Sequence, residues 1–144
     1  MIVLDVNVLL YAHMSSSPFH QAARLWFEET MSSTDDIGIP LQSVMGFLRI
    51  STNQNIPIGR LEMGRALDIV QAWLEQPNVR LLYPQEGHWP IFRRMLLGGR
   101  ASGVLSTDAH LAAITVEHSG TLYTTDSDFG RFPGLHWKNP LEKN

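Results

Sequence analysis

Cysteine is absent from the 144-residue sequence, which excludes disulfide bonds and thiolate zinc sites. Lysine is scarce, because Lys138 and Lys143 are the only two. Phosphatases of the haloacid dehalogenase type and receiver domains place a lysine near an aspartate at a strand end, so both classes are disfavoured. A glycine-rich turn is also missing after the first apolar run, which argues against a dinucleotide-binding domain.

Long apolar runs are missing as well. No run reaches the length that spans a membrane, and no basic flank or small-residue cleavage site marks a signal peptide. The composition, 44% hydrophobic and 17% charged residues, is typical of a folded globular protein. We therefore expect one soluble, cytoplasmic domain over residues 1–144 that does not associate with membranes.

The net charge of −3 argues against a nucleic-acid binder that depends on general charge. The charges are unevenly distributed, however, because nine of the 11 basic residues are arginines, and Arg93, Arg94 and Arg100 lie close together. Four of the 14 acidic residues have apolar neighbours, where a bound metal could neutralise them. Without these four acids, the remaining basic residues slightly outnumber the acidic ones, which is compatible with a modest phosphate-binding surface.

Short apolar segments alternate with amphipathic segments along the chain. Residues 37–40 and 79–83 are predicted strands, and apolar side chains spaced every three to four residues predict helices around them. This alternation predicts an α/β protein, a three-layer α/β/α sandwich with a mainly parallel central sheet. A helical hairpin around residues 41–75 carries more apolar side chains than one sheet face needs, so we expect it to protrude and to dock on a second copy or a partner.

Aspartates stand at the ends of apolar runs. Asp5 follows the run at residues 1–4, Asp126 and Asp128 follow the run at residues 121–125, and Asp108 begins a predicted helix. Open α/β sheets bind their ligands at the carboxyl ends of strands. An ionised carboxylate among apolar side chains is costly unless a cation, a metal or hydrogen-bond donors meet it. We therefore expect the fold to bring these acids together.

Each aspartate also has an ordinary structural interpretation. Asp108 could be a first-turn acid that the helix dipole favours, and Asp128 could simply form an Asx turn. Asp5 is harder to explain in this way, because a strand end offers no helix dipole and no arginine is adjacent in sequence.

A cluster of carboxylates is what metal-assisted cleavage of a phosphodiester requires. Mg²⁺ and Mn²⁺ prefer hard oxygen ligands and keep several waters for the reaction. Asp5 and Asp108 are the first candidates for direct ligands, Asp126 is the third, and Asp128 could orient water. Supporting hydrogen bonds to these acids are expected from Asn7, Thr107 and Thr125.

The six histidines show no spacing typical of a zinc site. His110, two residues after Asp108, is interpreted like the other five as a surface residue or a hydrogen-bonded core residue. The four tryptophans are interpreted as core residues rather than base-stacking platforms.

Four ordered motifs together resemble those of a known family. They are MIVLDVNVLLYA at residues 1–12, GFLRISTN at 46–53, TDAHLAA at 107–113 and TDSDF at 125–129. In this set and order, the chain resembles a PIN-domain ribonuclease, most of all the VapC toxins of bacterial toxin–antitoxin pairs. The resemblance implies an endoribonuclease dependent on Mg²⁺, with Mn²⁺ as a possible substitute, that cuts structured RNA such as tRNA or rRNA. It also implies a homodimer, neutralised by a VapB-type antitoxin whose C-terminal segment enters the active-site groove of a heterotetramer or larger assembly.

The resemblance carries the family's first acid to Asp5, its third to Asp108 and its final pair to Asp126 and Asp128. The second acid has no counterpart, because most relatives have a glutamate early in the helix after the second strand and residues 41–45 contain none. Gln42 or Ser43 could hold a water there without supplying charge, so looser metal binding is expected. Contacts to RNA or antitoxin are expected from Arg49, Arg93, Arg94 and Arg100.

A different class of function stays open at this point. A catalytically weak or inactive PIN module that binds RNA or protein would also have these motifs. The missing glutamate favours that alternative, whereas the four remaining aspartates favour the nuclease.

Overall fold

The computed structural model describes residues 1–56 and 58–142, so Pro57 in the predicted hairpin and the C-terminal Lys143 and Asn144 lie outside it. Within this part of the chain, five strands form one sheet in the order β3-β2-β1-β4-β5. The strands are β1 (Ile2–Leu4), β2 (Ile37–Pro40), β3 (Val79–Leu82), β4 (Thr121–Tyr123) and β5 (His136–Lys138). Every neighbouring pair is parallel, and Ile2 is paired with Ile37 on one side and with Thr121 on the other.

Helices connect the strands. They are α1 (Val6–His13), α2 (His20–Met31), α3 (Leu41–Ser51), α4 (Met63–Leu74), α5 (His88–Gly98) and α6 (Leu105–Glu117), and a short 3₁₀ helix follows at Ser127–Arg131. None of the helices in the described ranges is long and apolar enough to cross a membrane.

The two faces of the sheet are covered by different helices. Alternation along β1 sends Leu4 into a core shared with α1 to α4 and Val3 into a core shared with α5 and α6. Both side chains are fully buried, so β1 is covered on both faces, as a central parallel strand requires. The predicted three-layer α/β/α sandwich with a parallel sheet is confirmed.

The predicted helix pair around residues 41–75 is formed by α3 and α4. Phe47 and Trp73 are 0% and 3% exposed and pack in the core. Met45, Met63 and Leu67 lie outside this core and are 61%, 47% and 49% exposed. The apolar surplus is therefore present, while docking of a partner on it stays a prediction.

Candidate carboxylate site

Asp5 links the end of β1 to the start of α1. Its Oδ1 accepts a hydrogen bond from the Val6 backbone N–H at 2.7 Å, and its Oδ2 accepts one from the Thr124 hydroxyl at 2.6 Å. The residue is 6% exposed. The expectation that no helix dipole reaches Asp5 was wrong, because α1 begins at the next residue and Asp5 is its N-cap.

Thr124 connects Asp5 to the second pair of acids. Its hydroxyl oxygen accepts a hydrogen bond from the Asp126 N–H at 3.1 Å, and Asp126 Oδ1 in turn accepts one from the Asp128 N–H at 2.9 Å. The supporting threonine was predicted as Thr125, one residue too late. Side chains alternate along an extended strand, so Leu122 and Thr124 point inward while Tyr123 and Thr125 are only half-buried.

The negative charges of the other acids act on Asp108, which lies in the first turn of α6. Burial raises the pKa of its carboxyl to about 6, with further increases from the charges of Asp126, Asp5 and Asp128 and a decrease from Arg131. The predicted convergence of the acids therefore has an electrostatic signature. Asp128 itself is exposed in the 3₁₀ helix, where its N–H closes an Asx turn on Asp126.

Burial also dominates the pKa of Asp5. Desolvation raises it, the hydrogen bonds from Thr124 and Val6 lower it, and the charge of Asp126 raises it again. The ion pairs in the described residues are Arg24–Glu28, Arg60–Glu62 and His88–Glu117. None of them involves an acid of this site, so the carboxylates form no ion pair within the part of the chain that is described, and Arg131 acts on Asp108 only through its charge.

A groove of about 1030 Å³ opens beside Asp5 and Asp108. Its lining comes from the start of α1, from α3 on one wall, and from α5 and α6 on the other, and much of it is apolar. Arg49 and His110 are the basic side chains of the lining. The other predicted arginines are elsewhere in the described structure: Arg93 and Arg94 are exposed on α5, and Arg100 is exposed just after it.

Close packing of α3 against α1 shapes this groove next to Asp5. A Cβ atom added at Gly46 would lie 3.0 Å from Val6 Cγ2, so glycine lets the two helices approach. The Ser43 hydroxyl, 1% exposed, donates to the Leu4 carbonyl at 2.8 Å. Ser43 therefore supports the site by tying α3 to the end of β1 rather than by holding a water in the groove.

The other supporting residues differ from their predicted roles. Among the described contacts, the donors to Asp5 are Val6 and Thr124, so the hydrogen bond expected from Asn7 is not formed. Thr107 is exposed, and its backbone carbonyl accepts a hydrogen bond from Gln42 Nε2 at 3.1 Å. The side-chain oxygens of Asn7 and Gln42 are buried without a partner in the described residues.

The donor set suits a hard divalent cation that keeps most of its water. Asp5 and Asp108 line the groove, and so does Gln42 with its buried, unpartnered amide oxygen. Such hard oxygens suit Mg²⁺, which binds proteins through one or two carboxylates. In residues 1–56 and 58–142, no three His, Cys, Asp or Glu side chains are placed to enclose an ion. A closed ligand cage is therefore not formed, and an ion would have to be held partly through water.

Two functional neighbours were missed at the sequence level. Thr124 could have been found from strand alternation once the end of β4 was located. Arg131, which lowers the pKa of Asp108, lies 23 positions later in the sequence and gives no local signal.

Comparison with known proteins identifies the family of this chain. The family model described as PIN domain matches residues 2–135. Ribonuclease VapC33 of Mycobacterium tuberculosis is 36% identical over 143 residues, covering 99% of this chain and 100% of the relative.

Two solved structures share the fold. One is FitAB bound to an IR36 DNA fragment, with a TM-score of 0.75 at 17% identity, covering 100% of this chain and 98% of that one. The other is VapBC2 of Rickettsia felis bound to a promoter DNA fragment, with a TM-score of 0.72 at 14% identity, covering 96% and 98%. Given the match of the family model and of VapC33 over nearly the whole length, the chain belongs to the PIN-domain family and, within it, to the VapC proteins.

Proposed function

We propose that the protein is a Mg²⁺-dependent endoribonuclease toxin that cleaves structured RNA such as tRNA or rRNA, with Mn²⁺ as a substitute ion. The observation that carries this proposal is the convergence of the acids, because Asp5 and Asp108 line one groove and Thr124 links Asp5 to Asp126. The raised pKa of Asp108 agrees with it. Four carboxylates that repel one another at the end of a parallel sheet form a site that a divalent cation would stabilise. The similarity to a protein named as a ribonuclease supports the same function.

In this function Asp5 and Asp108 would hold the ion, with Asp126 as the third acid. A bound ion would supply a lowered pKa to a water and positive charge to the phosphate. Thr124 keeps Asp5 and Asp126 in register through its two hydrogen bonds. The charge of Arg131 lowers the pKa of Asp108. Arg49 lines the groove wall, and there it would contact RNA or the antitoxin.

The proposed partner is a VapB-type antitoxin, and the proposed assembly is a homodimer that becomes a heterotetramer or larger with it. The structurally similar VapBC2 is a toxin–antitoxin complex. The groove offers a peptide apolar side chains from α3, including Leu41 and Met45, next to Arg49 and the acids. Arg93, Arg94 and Arg100 are each exposed and would contact RNA or the antitoxin.

Cleavage of a structured RNA tests the proposal. Purified protein should cut the RNA with Mg²⁺ or Mn²⁺, stop with EDTA, and lose activity by about a thousandfold or more in Asp5→Asn, since the loss of a metal ligand removes several kcal/mol of transition-state stabilisation. Asp68→Asn, an exposed acid on α4, is the matched control and should cleave normally. Equal cleavage by Asp5→Asn and the wild type would rule the proposal out.

A non-catalytic RNA-binding or protein-binding module is the second candidate. The open ligand arrangement in the described residues and the amide of Gln42 in place of an acid favour it. RNA binding by both the wild type and Asp5→Asn, with neither cleaving under any divalent ion, would select this candidate.

A further inference from the structure

Trp89 differs from the other three tryptophans in its exposure to solvent. It is 64% exposed near the start of α5, whereas Trp73 is 3% exposed in the core. Trp26 is half-buried and stacks on Tyr123 with ring centroids 5.3 Å apart, and Trp137 is half-buried on β5. The interpretation of the tryptophans as core residues was therefore wrong for Trp89, whose indole is open to a ligand.

Phe92 connects Trp89 to the groove beside the aspartates. The ring centroids of Trp89 and Phe92 are 6.1 Å apart and the ring planes are 81° apart, so the two rings meet edge to face and are not stacked. Phe92 lines the groove, and its centroid is 5.6 Å from that of His110, another lining residue. Trp89 therefore lies next to the groove wall, one ring further out.

Helix α5 is packed against α6, which carries one of the aspartates. Met95 of α5 is fully buried in a core that also contains Ala109 of α6. Beside the groove, His88 Nε2 lies 2.8 Å from His110 Nδ1. The position of Trp89 relative to the carboxylate site is thus set by packed helices rather than by a loop.

The arginines of the segment around Trp89 have no acidic neighbours in sequence. Residues 87–107 contain Arg93, Arg94 and Arg100 and no acid, whereas the whole chain has a net charge of −3. All three arginines are exposed, and none forms an ion pair within the described residues. Arg93 follows Trp89 by four residues, so the two side chains are neighbours on one side of α5. An exposed indole beside unpaired cations suits an anionic ligand that also offers an aromatic face.

The exposure of Trp89 has two simpler explanations. A single exposed apolar residue is common on protein surfaces, but this gives no reason for three arginines without an acid around it. A protein partner would have to supply an acid for each of these arginines. In RNA, every nucleotide supplies a phosphate next to a base, and sites for single strands combine positive charge with aromatic side chains on which bases stack.

We propose that Trp89 is an RNA-contacting residue on which an unpaired base stacks, and that Arg93 contacts a phosphate of the same strand. This rests on the proposed function, since it assumes that the RNA backbone reaches the aspartates through the groove. It also narrows the substrate class. In a continuous duplex the faces of the bases are covered by their neighbours, so the RNA must present an unpaired base, as in a loop or a bulge, near the bond that is cleaved.

The stacking contact is measured by fluorescence anisotropy with a labelled RNA hairpin in the Asp5→Asn background, which keeps the RNA intact. Trp89→Leu keeps an apolar side chain but removes the ring, and should weaken binding about tenfold. Trp89→Phe keeps an aromatic face and should recover most of that affinity. Phe19→Leu is the matched control and should bind like its parent, because Phe19 is 51% exposed just before α2, which covers the opposite face of the sheet.

A second hairpin separates stacking from other contacts. It has the same stem but abasic nucleotides in the loop, so it keeps every phosphate and lacks the bases that would stack. Trp89→Leu and its parent should bind this hairpin equally. A loss of the same size on both hairpins would overturn the stacking contact.

The phosphate contact has a different signature, its dependence on salt. Arg93→Gln should weaken binding of both hairpins and reduce the slope of log affinity against log salt by about 0.7, the value for one phosphate of a single strand. Trp89→Leu should leave the slope unchanged. So should the charge-matched control Arg65→Gln, which replaces an exposed arginine on α4. An unchanged slope in Arg93→Gln would overturn the role of Arg93.

Failure of this inference and failure of the proposed function give different results. Unchanged affinity of Trp89→Leu for the intact hairpin, with an unchanged melting temperature, would overturn the base contact even where the wild type cleaves RNA. A change of oligomeric state in Trp89→Leu, measured by analytical ultracentrifugation, would also overturn it and assign this face to a protein partner. An inactive wild type whose variants show the predicted affinities would refute the nuclease and retain the contact.

Discussion

The two ends of helix α1 carry polar side chains in opposite states. At its N-terminus, Asp5 belongs to the carboxylate edge, defined here as Asp5, Asp108 and Asp126. At its C-terminus, His13 belongs to the aromatic cluster, defined here as His13, Phe27, Phe47 and Trp73. Eight residues of helix connect the two regions, so their difference comes from the side chains that the fold packs around each end.

His13 in the aromatic cluster has all its hydrogen bonds. Its Nε2 accepts from the Trp73 indole N–H at 3.2 Å, so its Nδ1 carries the proton and donates to the Leu9 carbonyl at 2.9 Å. Phe27 and Phe47 pack edge-on to the ring with centroids 4.9 and 5.8 Å away. Burial lowers the pKa of His13, so the cluster holds it neutral and stabilises the fold.

The ionisable groups of the carboxylate edge destabilise the fold, in contrast to His13. Burial and mutual repulsion raise the pKa values of Asp5 and Asp108, so the ionised site costs stability at neutral pH. A polar group whose hydrogen bonds are formed in the folded state contributes to stability, whereas neighbouring carboxylates that form no ion pair indicate a missing cation. Substitutions in the aromatic cluster and on the carboxylate edge should therefore act in opposite directions on stability.

The largest effect on stability is expected from Phe47→Ala in the aromatic cluster. Phe47 is fully buried, and removing its ring should lower the free energy of unfolding by about 3–5 kcal/mol. Urea denaturation measures this loss. Leu67→Ala on the exposed side of α4 is the control and should change stability by less than about 0.5 kcal/mol; a similar loss in both would show that the cluster is not a core.

A gain in stability is expected from Asp108→Asn on the carboxylate edge. The folded pKa of Asp108 is about 6 against an ordinary 3.8, so protonation favours folding. The stabilisation that the protonated carboxyl of Asp108 provides is complete below pH 3.8 and is lost as the pH rises through 6. The shift corresponds to ~3 kcal/mol for a fully buried group, and solvent screening of this partly exposed carboxyl reduces the expected gain to about 1 kcal/mol at pH 7.5.

Urea denaturation of both proteins at pH 7.5 and pH 4 measures that gain. The difference between Asp108→Asn and the wild type should shrink at the lower pH. Adding Mg²⁺ at pH 7.5 should stabilise the wild type more than the variant, because only the wild type retains the carboxylate ligand. A variant that is less stable than the wild type at pH 7.5 without added ions would show that the edge carries no repulsion.

A smaller effect is expected from the titration of His13. Its folded pKa lies below the ordinary 6.5, so protonation favours unfolding, and its contribution is complete above pH 6.5 and declines as the pH falls. His13→Gln can still accept from Trp73 but does not titrate, so stability should fall less between pH 7 and pH 5 than in the wild type. Thermal unfolding across this range measures the difference. Parallel curves would mean that His13 is not held neutral.

The sequence was sufficient to predict that the acids lie at one edge of the sheet. The carboxyl ends of parallel strands meet at one edge, so Asp5 and Asp126 were bound to be neighbours once β1 and β4 were recognised. The alternation of Leu122 and Thr124 was also available, but the run was extended to Thr125, two residues past the end of β4 at Tyr123. Local sequence patterns predict the strands and the residues at their ends, because strands and helices have short periodicities.

Contacts between distant residues could not be predicted in the same way. Asn7 was expected to bind Asp5 from its position two residues later, yet Thr124, more than a hundred residues away, makes that hydrogen bond. His110 was interpreted as an isolated histidine, because its partner His88 is on a different helix. Which side chains meet across packed elements depends on helix rotation and tilt, which residue spacing does not specify.

Calorimetric titration with Mn²⁺ tests most directly whether the carboxylate edge is a cation site. Because Asp108 has a pKa of about 6, ion binding at pH 6 should release at least about half a proton per ion, measured from the dependence of the heat on buffer ionisation enthalpy. At pH 8 the release should fall towards zero, and Asp108→Asn should bind more weakly without this pH dependence. Absence of binding, or equal proton release at both pH values, would contradict the account.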